Sequence, residues 1–265
     1  MPTTISTKTL TSLTKAHETT ERMTSRIRHL AATDPQIRPR QISTKAGIWQ
    51  PRLLELMNPP EGDATDTEQG EIDTVDVGAP IDPDVDPEAH EEEIIRLIGQ
   101  DRDAWDNART AVIAELKRRR QAVRDAEAAR ETAGVRVNTA LAAYATKHPD
   151  FNRTQLAKEC GMDRAVIFHK LAEIKAGTAP VDESLVNAET LDAEDVKRIL
   201  EEDRQARLKL DKVRQERKAV LRELDEAAQR KISIPVLSEA AGLHRAWTSR
   251  FLGARRATKG DASAS

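Results

Sequence analysis

A pattern centred on a glycine occurs three times in this chain, and it constrains the fold more than any other feature of the sequence. The copies are PRQISTKAGIWQPRLLELM (residues 39–57), TQLAKECGMDRAVIFHKLAEI (154–174) and PVLSEAAGLHRAWTSRFLG (235–253). Gly47, Gly161 and Gly242 align without gaps. Because glycine adopts a left-handed backbone conformation that other residues resist, each copy predicts two short helices joined by a tight turn.

The positions around the three glycines share their chemical character. A small residue precedes each glycine and an apolar residue follows it: Ala46, Cys160 and Ala241, then Ile48, Met162 and Leu243. A small residue at this place lets two helices cross closely. The first copy departs from the pattern at Pro51, which a first helical turn tolerates. The third has Thr248 where an apolar residue is expected, and we expect Trp247 to take over the packing.

Two long segments without proline predict extended helices, and the chain lacks the alternating runs of a sheet, so we predict an all-α fold. These segments are 94–147, which could break at Gly134, and 194–230. In the second, apolar residues recur at three- and four-residue steps: Val196, Ile199, Ala206, Leu210, Val213, Val220 and Leu224. This stripe is typical of a coiled-coil seam and favours a homodimer through the helical arms or arm-to-arm pairing. Alternatively, each arm packs only on its own small domain.

Two acidic segments divide the chain into three parts. Residues 59–93 hold 14 acidic side chains and no Lys or Arg, and we interpret them as a disordered linker; 177–193 is a shorter acidic linker. The predicted domains are therefore a first helix-turn-helix unit at 1–58, a second arm and unit at 94–176, and a third arm and unit at 194–256. The remaining residues, 257–265, are a predicted disordered tail.

The net charge of −3 conceals a strong segregation of charge. Residues 59–93 and 177–195 together contribute 14 + 6 = 20 acidic groups and no Lys or Arg. The rest of the chain has 42 basic and 45 − 20 = 25 acidic residues, a balance of +17. Basic folded parts joined by acidic connectors favour a nucleic-acid partner that the overall charge does not suggest.

The three copies resemble the helix-turn-helix units of bacterial and phage DNA-binding proteins. The resemblance covers about 20 residues per copy, and it implies that the second helix enters the major groove of double-stranded DNA. The residues it places at the DNA are Gln50, Arg52, Arg164, His169, Lys170, Arg245, Ser249 and Arg250. The basic run Lys117–Arg120 suits phosphates, or is a solvated face. Pro51 and Glu55 predict that the first copy binds DNA weakly or binds another partner.

These features favour a multi-headed, sequence-specific DNA-binding protein, a transcriptional regulator of a bacterium, phage or mobile element. A second hypothesis is a DNA-architectural or accessory protein for partition, replication or recombination. A third is a coiled-coil interaction scaffold without DNA contact.

Other function classes find no support in the sequence. It contains no catalytic constellation, metal motif or cofactor loop, so we expect no enzyme, no metal, no cofactor and no small-molecule substrate. Cys160 is expected to be a buried core residue, and the tryptophans Trp49, Trp105 and Trp247 to pack between helices. No apolar run is long enough for a membrane span, so we expect a cytoplasmic, nucleoid-associated protein.

Overall fold

The computed structural model describes residues 5–58, 87–161, 163–186 and 192–262 of the 265-residue chain. Every regular element within those ranges is an α-helix, which confirms the all-α prediction. The helices are α1 (Thr7–Thr33), α2 (Pro39–Ala46), α3 (Gln50–Met57), α4 (Pro87–Lys147), α5 (Arg153–Glu159), α6 (Arg164–Lys175), α7 (Glu183–Val186), α8 (Ala193–Glu223), α9 (Glu226–Lys231), α10 (Ile234–Ala241) and α11 (Arg245–Ala262).

The chain divides into two compact units, which cut across the three predicted segments. Unit 1 comprises Met1–Glu115 and Leu224–Leu237, and unit 2 comprises Leu116–Glu223 and Ser238–Ser265. Two helices belong to both units: α4 begins in unit 1 and ends in unit 2, and α10 does the same.

The core of unit 1 joins the first copy to the beginning of α4. Fully buried Ile27 and Leu30 from α1 pack with Ile42 from α2, Leu53 from α3 and Ile94 from α4. The predicted second arm therefore begins by packing on the first copy. The sequence did not indicate this because the pattern of α4 says which face is apolar but not which partner covers it.

The core of unit 2 joins the second copy to the later part of α4 and to α8. Leu141 from α4, Leu156 from α5 and Ile167 from α6 are buried together with Val196 and Ile199 from α8.

The apolar stripe of α8 is partly accounted for within unit 2. Leu210 packs with Val123 and Ala126 of α4, and Val213 lies beside them. Arm-to-arm pairing thus occurs inside one chain, and a homodimer through the arms stays a prediction.

The predicted bounds of the two long helices change. Helix α4 starts at Pro87, inside the predicted acidic linker, and continues through Gly134 without a break. Proline is tolerated in a first helical turn, and acidic residues such as Glu88 are favoured near the positive end of the helix dipole. Helix α8 ends at Glu223 rather than continuing to 230, because Asp225 caps a new helix: its Oδ1 accepts a hydrogen bond of 2.8 Å from the Ala228 amide.

The predicted tail and the short linker also contain helix. Helix α11 extends to Ala262, and α7 lies within 177–193. The rest of the long acidic linker (59–86), Met162 and residues 187–191 lie outside the described residues, so the prediction of disorder is not tested there.

Candidate nucleic-acid interface

The three aligned glycines adopt the same backbone conformation. The φ angles are 64° at Gly47, 64° at Gly161 and 62° at Gly242, all in the left-handed region. Two turns share a further hydrogen bond: Ile48 donates its amide to the Ser43 carbonyl at 3.0 Å, and Leu243 donates to Ser238 at 2.9 Å. Each copy is therefore a helix, a left-handed glycine turn and a second helix. A glycine in this conformation is a common way for a helix to end.

The second helix of each copy buries the same position. Leu53, Ile167 and Thr248, six residues after the aligned glycines, all have 0% exposure. Thr248 occupies this place despite its hydroxyl, because Oγ1 donates to the His244 carbonyl of its own helix at 3.3 Å. The expectation that Trp247 replaces it is wrong: Trp247 is partly exposed and stacks on Phe251 with ring centroids 4.6 Å apart.

The start of the second helix differs between the copies. In the second copy, Oδ1 of Asp163 accepts from the Ala165 amide at 2.7 Å. In the third, Nδ1 of His244 accepts from the Ala246 amide at 3.3 Å. In the first, Trp49 stands at this position and its side chain makes no capping hydrogen bond in the described structure. The helices of the second and third copies thus begin with a satisfied N-terminal amide, which fixes their first turn.

Most of the predicted DNA-contacting residues lie on exposed surface. Gln50, Arg164 and Arg245 are exposed at the first position of α3, α6 and α11. Arg52, His169, Ser249 and Arg250 are exposed further along these helices.

Three of these side chains have polar partners within their own helix: Arg250 donates from Nε to the Ala246 carbonyl at 3.4 Å, and the other two lie near carboxylates. His169 lies 3.4 Å from Glu173 and is largely solvent-facing. Arg52 forms a 2.8 Å ion pair with Glu55, one turn on. In the first copy, the positive charge of Arg52 is therefore partly neutralised by Glu55, the residue whose charge predicts weak DNA binding.

Lys170 does not join this exposed face. Its ammonium donates a hydrogen bond of 3.0 Å to Oδ1 of Asn138, a buried residue of α4. Burial lowers the pKa of Lys170 below its usual value, with Asp203 acting in the opposite direction. The residues aligned with Lys170 are Leu56 and Phe251, so this position faces inward in the pattern. The structure thus places Lys170 away from the exposed face, and its contact with DNA stays a prediction.

Aromatic rings support cations at the second helix of the second copy. Arg164 lies with its guanidinium 4.9 Å from the centre of the Phe168 ring, and Arg153 at the start of α5 lies 5.6 Å from the same ring. Stacking of this kind restricts the orientations of a guanidinium while leaving its N–H groups free to donate. Sequence reasoning missed Arg153, and only its place at the first residue of α5 could have indicated it.

The third copy carries a related arrangement in which the cations come from α8. Lys218 lies 5.9 Å from the ring centre of Trp247, and Arg222 lies 5.4 Å from that of Phe251. These two cations were also missed, because α8 and α11 are distant in sequence and only folding brings their side chains together.

The basic run Lys117–Arg120 is partly used inside unit 2. Arg119 forms a 2.6 Å ion pair with Glu216, and Arg120 donates to the Glu239 carbonyl at 3.0 Å while its side chain packs on Gly242. Lys117 and Arg118 are exposed. The last two residues of the run therefore have partners within unit 2, and Arg120 contacts the turn of the third copy; phosphate binding by the run stays a prediction.

The tryptophans divide between core and surface. Trp105 is buried and donates its indole N–H to Thr20 Oγ1 at 2.8 Å, as expected for a packed tryptophan. Trp49 is 75% exposed, and Leu54 on the same helix is 38% exposed, so the packing expectation is wrong for Trp49. Cys160 is buried, as predicted, and burial raises the pKa of its thiol.

In comparisons with known proteins, no protein-family model, curated protein or solved structure matches the chain. Among the described residues, no group of three or more His, Cys, Asp or Glu side chains is arranged to hold a metal ion. None of the described helices combines the length and apolar character that crossing a membrane requires.

Proposed function

We propose that this chain is a multi-headed, sequence-specific double-stranded DNA-binding protein that regulates transcription, reading DNA mainly through its second and third copies. The observation that carries the proposal is the repeated exposure of an arginine, Arg164 or Arg245, at the first residue of a helix that follows a left-handed glycine turn. Three such turns in one chain favour a repeated function over chance.

The chemistry of these two positions suits the major groove. An arginine fork can donate two hydrogen bonds to O6 and N7 of guanine, the commonest specific contact of this kind. Helix α6 has 12 residues and so measures about 18 Å, enough for its first turns to enter a groove about 12 Å wide. His169, Ser249 and Arg250 are exposed farther along the same helices and can reach neighbouring bases or phosphates.

The stacked cations have a separate role in the proposal. Arg153 stands at the start of the first helix of its copy, where a helix-turn-helix protein meets the DNA backbone. Held over the Phe168 ring, it would bind a phosphate while Arg164 reads a base. Phosphate contacts position a protein on the duplex, and base contacts supply its specificity.

The first copy makes a weaker contribution. Gln50 can still pair with adenine, but Arg52 is held by Glu55, and the helix lacks a side-chain cap in the part of the chain that is described. We assign this copy a supporting contact with DNA or a different partner, for which exposed Trp49 is the obvious anchor.

An accessory role in partition, replication or recombination is a second candidate, favoured by the presence of three copies in a single chain. It requires separated or repeated binding sites, whereas a regulator requires an operator near a promoter.

Selection of binding sites from a random double-stranded DNA library, using the full chain, tests the proposal. We expect enrichment of a defined sequence that is lost when Arg164 and Arg245 are both changed to Ala. Mapping the enriched sequence onto the genome that encodes the protein then separates promoters from clustered repeats. Failure to enrich any sequence, with the protein folded, would contradict the proposal.

A further inference from the structure

A cleft with both charged and apolar lining residues lies beside α6 of the second copy, in unit 2. Its volume is about 460 Å³, within the range of small-molecule sites, and it is lined by residues of α4, α6 and α8 together with Pro180. The charged residues on its wall are Glu127, Arg130, Glu131, Lys170, Asp203, Arg207 and Arg214.

Most of the acids on this wall already have cationic partners. Asp203 forms a 2.6 Å ion pair with Arg207, and Glu127 forms a 2.8 Å ion pair with Arg214. The pairs engage both arginines, while Oδ1 of Asp203 is buried without a hydrogen-bond partner among the described residues. Glu131, an exposed side chain of α4, is the remaining acid on the wall.

Lys170 is a half-buried cation that forms no direct ion pair among the described residues, although the charges of Asp203 and Glu173 favour its protonated form. Its one hydrogen bond goes to the neutral amide of Asn138, whose Nδ2 in turn donates to the Pro180 carbonyl at 3.1 Å. An ammonium group has three donors, so two remain available. Partial burial of this ammonium is unfavourable and is the largest cause of its lowered pKa, and an anion in direct contact with it would reduce that cost.

Arg130 supplies a second cation at the same cleft. It is exposed, and no ion pair or hydrogen bond holds its guanidinium in the described part of the chain. Its charge acts on Lys170 in the direction that lowers the lysine pKa, which indicates that the two groups are near each other. After the ion pairs above are set aside, two cations and one exposed carboxylate remain on the wall.

We propose that this cleft binds a small organic anion, through a carboxylate or phosphate group held by Lys170 and Arg130. The cleft is much larger than an inorganic anion, so the natural ligand carries an organic part beside its acidic group. Lys170 belongs to the helix that begins with Arg164, while Asp203 and Arg207 belong to α8. An anion bound there would tie α6 to α4. If the proposed DNA binding is correct, the ligand would act as an effector of the second copy; anion binding itself does not depend on it.

Calorimetric titration of the full chain with inorganic phosphate and, separately, with succinate tests the inference. Ionic strength is held constant with sodium chloride so that general screening does not change. The variants are Lys170→Gln and Arg130→Gln, and the matched control is Lys175→Gln, an exposed lysine in the last turn of the same helix. Arg130 is exposed, so its replacement tests the cleft without disturbing the core.

We expect saturable binding of at least one anion by the unmodified chain and by Lys175→Gln. Either cleft variant should weaken it at least about tenfold, as loss of one charge-assisted hydrogen bond does. Tighter binding of phosphate than of succinate assigns a phosphorylated ligand, and the reverse assigns a carboxylate. Absence of saturable binding of both anions, or equal weakening in the Lys175 control, would overturn the inference. Because no DNA is present, its failure is distinct from failure of the proposed function.

Discussion

Arg102 donates a hydrogen bond from Nη2 to the carbonyl oxygen of Ala46, at 2.5 Å, and so caps the first helix of the first copy from α4. The third copy has the same relationship at the aligned residue: Arg217 of α8 donates to the Ala241 carbonyl at 3.2 Å. The last carbonyls of a helix lack partners within it, and a cation is favoured at this negative end of the helix dipole. In both copies a long helix thus stabilises the turn that precedes the second helix of the copy.

Replacing Arg102 with Met should destabilise the first copy by about 1 kcal/mol, because the apolar stem is kept while the capping hydrogen bond is lost. Amide hydrogen exchange in α2 and the free energy of unfolding in urea measure the effect. Arg109→Met, at an exposed arginine of the same helix, is the control and should leave both unchanged. Equal exchange rates in the two variants would show that Arg102 does not cap α2.

The copies should contribute unequally to DNA binding. Arg164→Ala and Arg245→Ala should each cost about 1–3 kcal/mol in binding to the selected site, since each removes an arginine that we propose to read a base. Gln50→Ala should cost less, because its helix lacks a free cation nearby. Fluorescence anisotropy on selected and random duplexes makes the comparison. Equal losses from all three substitutions would contradict the ranking of the copies.

Arg153 should affect affinity more than specificity. Arg153→Ala should weaken binding to selected and random duplexes alike and should reduce the slope of log K against log salt by about one phosphate contact. Arg164→Ala should instead weaken binding to the selected duplex much more than to the random one. If both variants lose specificity to the same degree, Arg153 contacts bases rather than phosphate.

Unit 1 should lose stability in acid through an ion pair at the start of α4. Arg38 donates to buried Glu91 at 2.8 Å, which lowers the pKa of Glu91 below its ordinary 4.5. A carboxyl group whose pKa is lowered by folding stabilises the folded state above its unfolded pKa. That stabilisation is lost as the pH falls through the lowered value.

Glu91→Gln should therefore unfold at a temperature that depends less on pH between about pH 5 and about pH 3 than that of the unmodified chain. Glu92→Gln, at the exposed neighbouring residue, keeps the pair and should retain the full dependence. Circular dichroism during heating reports the transition. Identical pH profiles for the two variants would exclude this pair as a source of acid sensitivity.

The apolar stripe on α8 should contribute to the stability of unit 2 whether or not the chain forms a homodimer. Leu210→Asp places a charge in the cluster that Leu210 forms with Val123 and Ala126, and should destabilise unit 2 by more than about 3 kcal/mol. Leu208→Asp, on the same helix at a residue 53% exposed, should have little effect. Sedimentation together with urea unfolding tests this. A Leu210→Asp chain of normal stability that changes from dimer to monomer would establish the homodimer instead.

Local rules predicted the turns well and tertiary partners poorly. The left-handed conformation at Gly47, Gly161 and Gly242 follows from the residue type and its neighbours, so the sequence alone indicates it. The end of α8 could also have been predicted, since Asp225 is a favourable residue for capping a new helix. It was missed because the segment contains no Pro or Gly to indicate that a helix ends there. By contrast, no local pattern indicates that the first turns of α4 pack on the first copy.

The site shows the same division. Exposure of Arg164 and Arg245 follows from their charge and from their place at the first residue of a helix. The inward position of Lys170 was not predicted, because the prediction relied on its charge. The aligned residues Leu56 and Phe251 are apolar and already indicate that this position faces inward. The cations over Phe168, Trp247 and Phe251 depend on which helices meet, and periodicity does not contain that information.

Hydroxyl-radical footprinting of the full chain on its selected DNA site tests the central claim most directly. The unmodified chain should protect at least two patches, and Arg164→Ala and Arg245→Ala should each abolish a different one. That result would assign a separate DNA contact to the second and third copies. Complete protection that neither substitution alters, or no protection by the folded chain, would contradict the account.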